Sequence, residues 1–165
     1  MSQPGKELLL ESVCYRSPAG NLKITASGSG ITSVQFADDF EEAGSAYPLL
    51  KECVRQLDEY FSGKRNFFSL DFDMQGTDFQ KKVWMELLKI PFGKTISYLE
   101  LARRLGDEKV IRAAGSANGK NPVAIIIPCH RVIGSNGDLV GYAGGLQRKQ
   151  WLLEFESGMQ QAKLF

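Results

Sequence analysis

The apolar residues of this chain change period part-way along. Up to residue 37 they fall in short alternating runs, "ELLLESVCYRS" (7–17), "NLKITAS" (21–27) and "ITSVQFA" (31–37), parted by the turn signals "PAGN" and "GSG". Beyond residue 76 they recur at helical spacing. A fold that serves both periods is α+β: a small antiparallel sheet first, then a mostly helical part. Between them "PLLKECVRQLDEYFSG" carries Leu49, Leu50, Cys53, Val54, Leu57, Tyr60 and Phe61 on one helical stripe closed by Gly63. That helix is expected to cover the sheet. "KRNFFSLDFDMQG" reads as a connector, so the predicted domains are 1–76 and 77–165.

The second part opens with "TDFQKKVWMELLKI", in which Thr77 and Gln80 have capping-box spacing. Phe79, Val83, Trp84, Leu87 and Leu88 form its apolar face, and Pro91 and Gly93 end it. "SYLELARRLG" repeats the box with Ser97 and Glu100, and presents Leu99, Ala102 and Leu105 inward. After the short "DEKV", a third helix is predicted in "VIRAAGSANGKN". The last two resemble a helix-turn-helix. The second of them carries almost no bulk: Ala113, Ala114, Gly115, Ser116 and Ala117 follow the single long side chain of Arg112. Such a face permits close backbone approach to a surface, and the alternative is tight packing between helices.

Charge is unevenly spread. Residues 1–76 hold 7 Lys/Arg against 11 Asp/Glu, whereas residues 77–122 hold 9 against 5, so a polyanionic partner would meet the second part. The longest apolar run, "VAIII", is far too short for a membrane span, and the Leu run of "MSQPGKELLL" is too short for a signal peptide. A cytoplasmic protein without membrane association is expected. Three well-separated cysteines argue against a disulfide framework, and one histidine without a C-x-x-C pair argues against a zinc site. Cys14 and Cys53 read as core thiols. "FGKT", "NGKN" and "GSGITS" each lack a glycine that a phosphate-binding loop or dinucleotide fingerprint requires.

In "NPVAIIIPCHRVIG" (121–134) Cys129 adjoins the sole histidine, His130, behind an apolar run read as strand-like. A thiol must become thiolate to react, and burial opposes that. Pro128 suits the start of a short helix that would place Cys129 near its positive end. Successive helical residues do not face one another, so a water is the sensible link between thiol and imidazole. The imidazole also needs an acceptor behind it, which no nearby carboxylate supplies. A reactive cysteine, a cysteine hydrolase among the options, and a structural Cys-His pair both remain open on these residues.

The stretches "NPVAIIIPCHRVIGSNGDLVGYAGG" and "KQWLLEFE", with "FQKKVWMELLKIPFGKTISYLELARRLG" and "IRAAGSANGKNP", resemble the O6-alkylguanine-DNA alkyltransferase family over residues 79–156. The resemblance implies direct-reversal DNA repair, in which Cys129 takes the alkyl group from O6-methylguanine, and from O4-methylthymine, in duplex DNA. It implies an N-terminal support domain of ribonuclease H-like type and one event per molecule, since a thioether is not hydrolysed. His130 would take the thiol proton through a water, with Glu156 orienting it and Asn121 bracing the segment. Tyr98 would protonate the leaving base and press on its phosphate. Arg112 would fill the gap left by the flipped base while Ala113, Ala114, Gly115, Ser116 and Ala117 enter the minor groove, flanked by Thr95, Ser97 and Lys120. Val132, Gly141, Tyr142, Ala143 and Gly144 would line the base pocket with Tyr98. The main chain of Cys129 and Val132 would accept from the base amino group. Ala143 stands where some members have Ser. No cofactor or metal is implied, the expected partner is lesion-bearing double-stranded DNA, and a monomer is expected. The alternative is a binder of the alkyltransferase-like type, which marks the lesion without transfer and lacks the cysteine.

Overall fold

The computed structural model describes residues 10–39 and 44–162. Two compact units divide between Gln75 and Gly76. In the first, β1 (Glu11–Ser17), β2 (Gly20–Ala26) and β3 (Ile31–Phe36) form an antiparallel meander in the order β1-β2-β3. Val13 pairs with Ile24 and Tyr15 with Leu22, which brings Val13, Leu22 and Ile24 into the core. Residues 7–9 of the first predicted strand lie outside the described residues. Helix α1 (Pro48–Phe61) packs on β1 and β2 through Leu50, Cys53, Leu57 and Tyr60. The stripe read from sequence is thus buried along its centre line.

Two expectations for this unit need correction. Cys14 is half-exposed rather than a core thiol, because Val13 takes the inward position in β1. The presumed connector also contributes to the sheet edge. Ile31 donates to Asp71 O at 2.8 Å, and Asp73 returns a bond to Ile31 O at 2.8 Å. Gly30 is required by this approach, since a Cβ there would stand 2.6 Å from the Phe72 carbonyl carbon. Buried Gln56 fastens the same segment, its side chain exchanging hydrogen bonds with the Ser69 backbone at 2.9 and 3.0 Å.

The second unit holds α2 (Asp78–Leu87), β4 (Ile96–Ser97), α3 (Tyr98–Arg104), α4 (Ile111–Gly119), β5 (Val132–Ile133) and α5 (Leu146–Ala162). Both bonds of the Thr77–Gln80 capping box form, at 2.9 and 3.1 Å. The second box forms by half only: Ser97 accepts from the Glu100 amide, while the Glu100 carboxylate turns to Arg104. Trp84 ties α2 to α4 by donating to Ala117 O at 2.9 Å. Gly106, at φ 98°, ends α3, and Asp107 caps the short 3-10 turn that leads into α4. The helix-turn-helix arrangement is therefore present as α3 and α4. Short parallel pairing of Ile96 with Val132 and Ser97 with Ile133 brings the start of α3 beside the Cys129 segment. No helix among the described residues is long and apolar enough to cross a membrane.

Candidate active site

The run 123–127 is not a strand. Ile126 donates to Ala124 O at 2.8 Å, closing a γ-turn around Ile125, the one non-glycine with positive φ (71°) among the described residues. A β-branched residue rarely occupies that region, and such strain persists only where the surroundings over-determine it. Here three successive side chains, Ile125, Ile126 and Ile127, are all buried, a packing that a strand with one buried face would not give. Asn121 supplies the rest of the restraint. Its amide donates to Ile127 O at 2.7 Å and Val123 O at 3.2 Å, and its oxygen accepts from the Val123 amide at 3.0 Å.

Cys129 follows at once. Pro128 (φ −82°, ψ 63°) turns the chain so that the Cys129 amide donates to Ile127 O at 2.8 Å. The helix expected after Pro128 is a single 3-10 turn, Cys129–Arg131, too short to offer much aligned dipole. Burial pushes the Cys129 thiol up; the Asn121 amide, the Lys149 ammonium and the backbone amide act in the opposite sense.

Behind the cysteine lies a buried ionic cluster. His130 Nε2 stands 2.8 Å from Glu156 Oε2. Arg131 donates from Nε to Glu156 Oε1 at 2.8 Å, from Nη2 to Oε2 at 2.9 Å, and from Nη1 to Ile90 O at 2.7 Å. The Gly93 amide adds a bond to Glu156 Oε1 at 3.3 Å. Burial works against the charged Glu156 carboxyl, yet the hydrogen bonds and charges of His130 and Arg131 outweigh it and hold it well below the ordinary carboxylate range. Burial holds the His130 imidazole below its ordinary value, against the pull of Glu156. His130 Nδ1 has no hydrogen-bond partner.

Lys149 is a second buried cation. Its Nζ donates to Val132 O at 2.7 Å, Val140 O at 2.8 Å and Gly141 O at 3.4 Å, and lies 6.0 Å from the Tyr98 ring centroid. Burial lowers its basicity, and the neighbouring Cys129 favours its charge. Tyr98, at the head of α3, donates to Val140 O at 3.1 Å, and burial raises its hydroxyl. A Cβ at Gly115 would lie 3.6 Å from the Tyr98 ring, so smallness in α4 serves contact inside the unit as well. Ala114 and Ala117 point inward and are buried. Arg112, Ala113 and Ser116 form the outer face of α4, with Lys120 beyond its end; Thr95 is exposed, and Ser97 is the cap of α3. In the loop before α5, Gly141 and Gly145 have positive φ, Ala143 is exposed, the Gly144 carbonyl accepts from Arg148, and burial raises the Tyr142 phenol strongly.

Three residues that the sequence reading left without a role belong to this site. Arg131 and Lys149 are described above, and buried Asn118 of α4 donates to Cys129 O at 3.4 Å. A signal for Lys149 existed: with Leu152 and Glu156 it keeps the i, i+3, i+7 spacing of one buried helix face.

A buried thiol flanked by amide and ammonium donors, beside a carboxylate-anchored imidazole and under a helix-turn-helix, defines a cysteine-centred site on a nucleic-acid-binding scaffold. Comparison with known proteins narrows this class. Residues 78–158 match the family profile "6-O-methylguanine DNA methyltransferase, DNA binding domain", and residues 12–74 match that family's ribonuclease-like domain. The chain is 47% identical over 145 residues to the methylated-DNA–protein-cysteine methyltransferase of Mycobacterium leprae, covering 85% of this chain and 88% of that one. Identity to the protein of the same name from Methanosarcina barkeri is 44%, covering 85% and 92%. The crystal structure of the Mycobacterium tuberculosis O6-methylguanine methyltransferase superposes with a TM-score of 0.82 at 41% identity, covering 92% and 94%. A structure of the M. tuberculosis protein in complex with DNA superposes with a TM-score of 0.80 at 42% identity, covering 90% and 93%. The chain belongs to the 6-O-methylguanine DNA methyltransferase family.

Proposed function

We propose that this protein repairs O6-alkylguanine in duplex DNA by moving the alkyl group onto its own Cys129, once per molecule. The observation that carries the reading is the Cys129 environment: a thiol on a braced turn, with His130 Nδ1 unbonded and Glu156 on the other ring nitrogen at 2.8 Å. Because Glu156 also accepts from Arg131, the proton of His130 sits on Nε2, and Nδ1 is the basic atom. The thiol proton passes to Nδ1 through a water. The sulfur then attacks the alkyl carbon, a sulfur–carbon bond forms, and the carbon–O6 bond breaks with its electron pair left on the guanine. A proton given by Tyr98 lets guanine leave neutral.

An alkyl group on O6 lies within the stacked duplex, so the base must be flipped out to reach the thiol. The outer face of α4 suits entry into the minor groove, with Arg112 as the side chain long enough to occupy the vacated place. The excess of basic residues in 77–122 suits phosphate contacts. In the base pocket, the Cys129 and Val132 carbonyls already receive Asn118 and Lys149, which would hold them in place to accept from the base amino group. Residues 1–76 act as a support domain, and the protein works as a cytoplasmic monomer without a cofactor.

Incubation with duplex DNA carrying O6-methyl-labelled guanine tests the reading. Label is expected on the peptide that contains Cys129, and on none from a Cys129→Ser protein that still binds the duplex. Binding with the lesion left intact in the unaltered protein would mark it as a non-transferring lesion binder.

A further inference from the structure

In the buried cluster behind Cys129, His130 and Glu156 are accounted for by proton transfer; Arg131 is not. Its guanidinium is nine-tenths buried, spans both oxygens of Glu156, and is itself anchored on the Ile90 carbonyl at 2.7 Å, with the Phe92 ring 5.8 Å away. A fork held at three points is a rigid object. Resting on the proposed transfer reaction, we propose that Arg131 is a positioning residue for it: by balancing and orienting Glu156, it keeps His130 a neutral imidazole whose only proton is on Nε2, so that Nδ1 can take the thiol proton.

The argument is one of charge balance in a dry site. A lone carboxylate 2.8 Å from a buried imidazole would draw a second proton onto the ring and make it imidazolium, which has no free lone pair. Burial opposes that proton, but so does a fixed positive charge on the same carboxylate. Among the described residues, the titratable and charged groups around the pair are Cys129 and Arg131 of its own turn, Lys149 of α5, and the Tyr142 phenol. Lys149 is spent on three carbonyls, and among the described residues Arg131 is the cation paired with Glu156. Geometry adds to charge. Glu156 Oε2 is shared between Arg131 Nη2 and His130 Nε2, and a shared acceptor obliges both nitrogens to be donors. The tautomer is thereby set without any contact to Nδ1.

The chain has a single histidine, so nuclear magnetic resonance of its ring nitrogens reports this site alone. In the full-length protein, the ring is expected to remain neutral, with the proton on Nε2, to below the ordinary imidazole range. In Arg131→Met the ring is expected to take up its second proton about one pH unit or more higher, and the acid limb of the single-turnover transfer rate on methylated duplex to move with it. Arg131→Lys keeps the charge without the fork, so an intermediate shift is expected together with a mixture of tautomers. The double variant Arg131→Met/Glu156→Gln removes both charges and is expected to bring the ring's titration back down. A His130 titration and tautomer unchanged in both Arg131→Lys and Arg131→Met would overturn the proposal, as would a double variant that titrates like Arg131→Met. Absence of label on Cys129 in the unaltered protein would instead refute the transfer reading, and the ring titration separates the two failures.

Discussion

Cys53 and Cys129 are both buried, and they differ in the polar groups brought to the sulfur. Cys53 sits in the apolar contact between α1 and the sheet, where burial and the adjacent Glu52 push its thiol up to about 12. Cys129 meets the same cost of burial but also an amide from Asn121, the Lys149 ammonium and its own backbone amide. Burial alone therefore identifies neither a structural nor a reactive cysteine. The polar groups brought to the sulfur make the difference, and in this molecule they arrive from residues 8 positions before and 20 after it.

The largest expected effect follows directly. Cys129→Ser is expected to abolish alkyl transfer, whereas Cys53→Ala is expected to transfer at the unaltered rate in the same single-turnover assay. Transfer lost in Cys53→Ala despite a folded second unit would break the contrast. Next, Lys149→Met removes the cation whose charge favours the Cys129 thiolate. Alkylation of Cys129 by iodoacetamide at neutral pH is expected to slow roughly tenfold, about one unit in thiol acidity. An unchanged rate would assign Lys149 to holding carbonyls only.

Acid sharpens the comparison in a different way. The His130 imidazole is held below its 6.5 reference, so the unfolded chain takes up that proton first and stability drains as pH falls below about 6.5. The Glu156 carboxyl is held below its 4.5 reference, so its contribution is complete above that value and is lost as pH falls further. Both tryptophans, Trp84 and Trp151, lie in the second unit, so their fluorescence in urea titrations reads that unit. A two-stage loss of stability between pH 7 and 3 is expected, with the lower stage missing in Glu156→Gln. A flat profile would contradict the buried cluster. Arg112→Ala, on the exposed face of α4, is expected to leave these melts unchanged while slowing repair of duplex DNA; equal rates would remove it from base flipping. The smallest effect concerns the fold: Thr77→Ala, which opens the complete capping box, is expected to cost the second unit about 1 kcal/mol by the same melts.

The elements were legible because each carries its own local signature. The Thr77 box, the Gly106 stop and the alternating runs before residue 37 all act within a few residues. The site was legible only at its sulfur and its histidine. Three isoleucines in a row look like a strand, and nothing in their propensity announces that Ile125 will turn with positive φ so that its neighbours pack inward. The half-formed Ser97 box shows the same limit, since Glu100 prefers Arg104. The carboxylate missing next to His130 comes from α5, 26 residues on, and it was reached through family resemblance rather than local chemistry. Arg131 stood inside the quoted motif, yet its role depends on which carboxylate it meets. The bulk-free stretch of α4 was half read: Ala114 and Ala117 are small to pack within the unit, Ala113 and Ser116 to leave its outer face low.

The most direct test is the mass of the intact protein after exposure to excess duplex containing O6-methylguanine. A gain of one methyl group per molecule is expected, located on Cys129, with no further lesion repaired once every molecule carries it. An unaltered mass, a methyl group on Cys53 or Cys14, or removal of many lesions per molecule would contradict the central claim that the surroundings of Cys129 prepare one thiol for a single use.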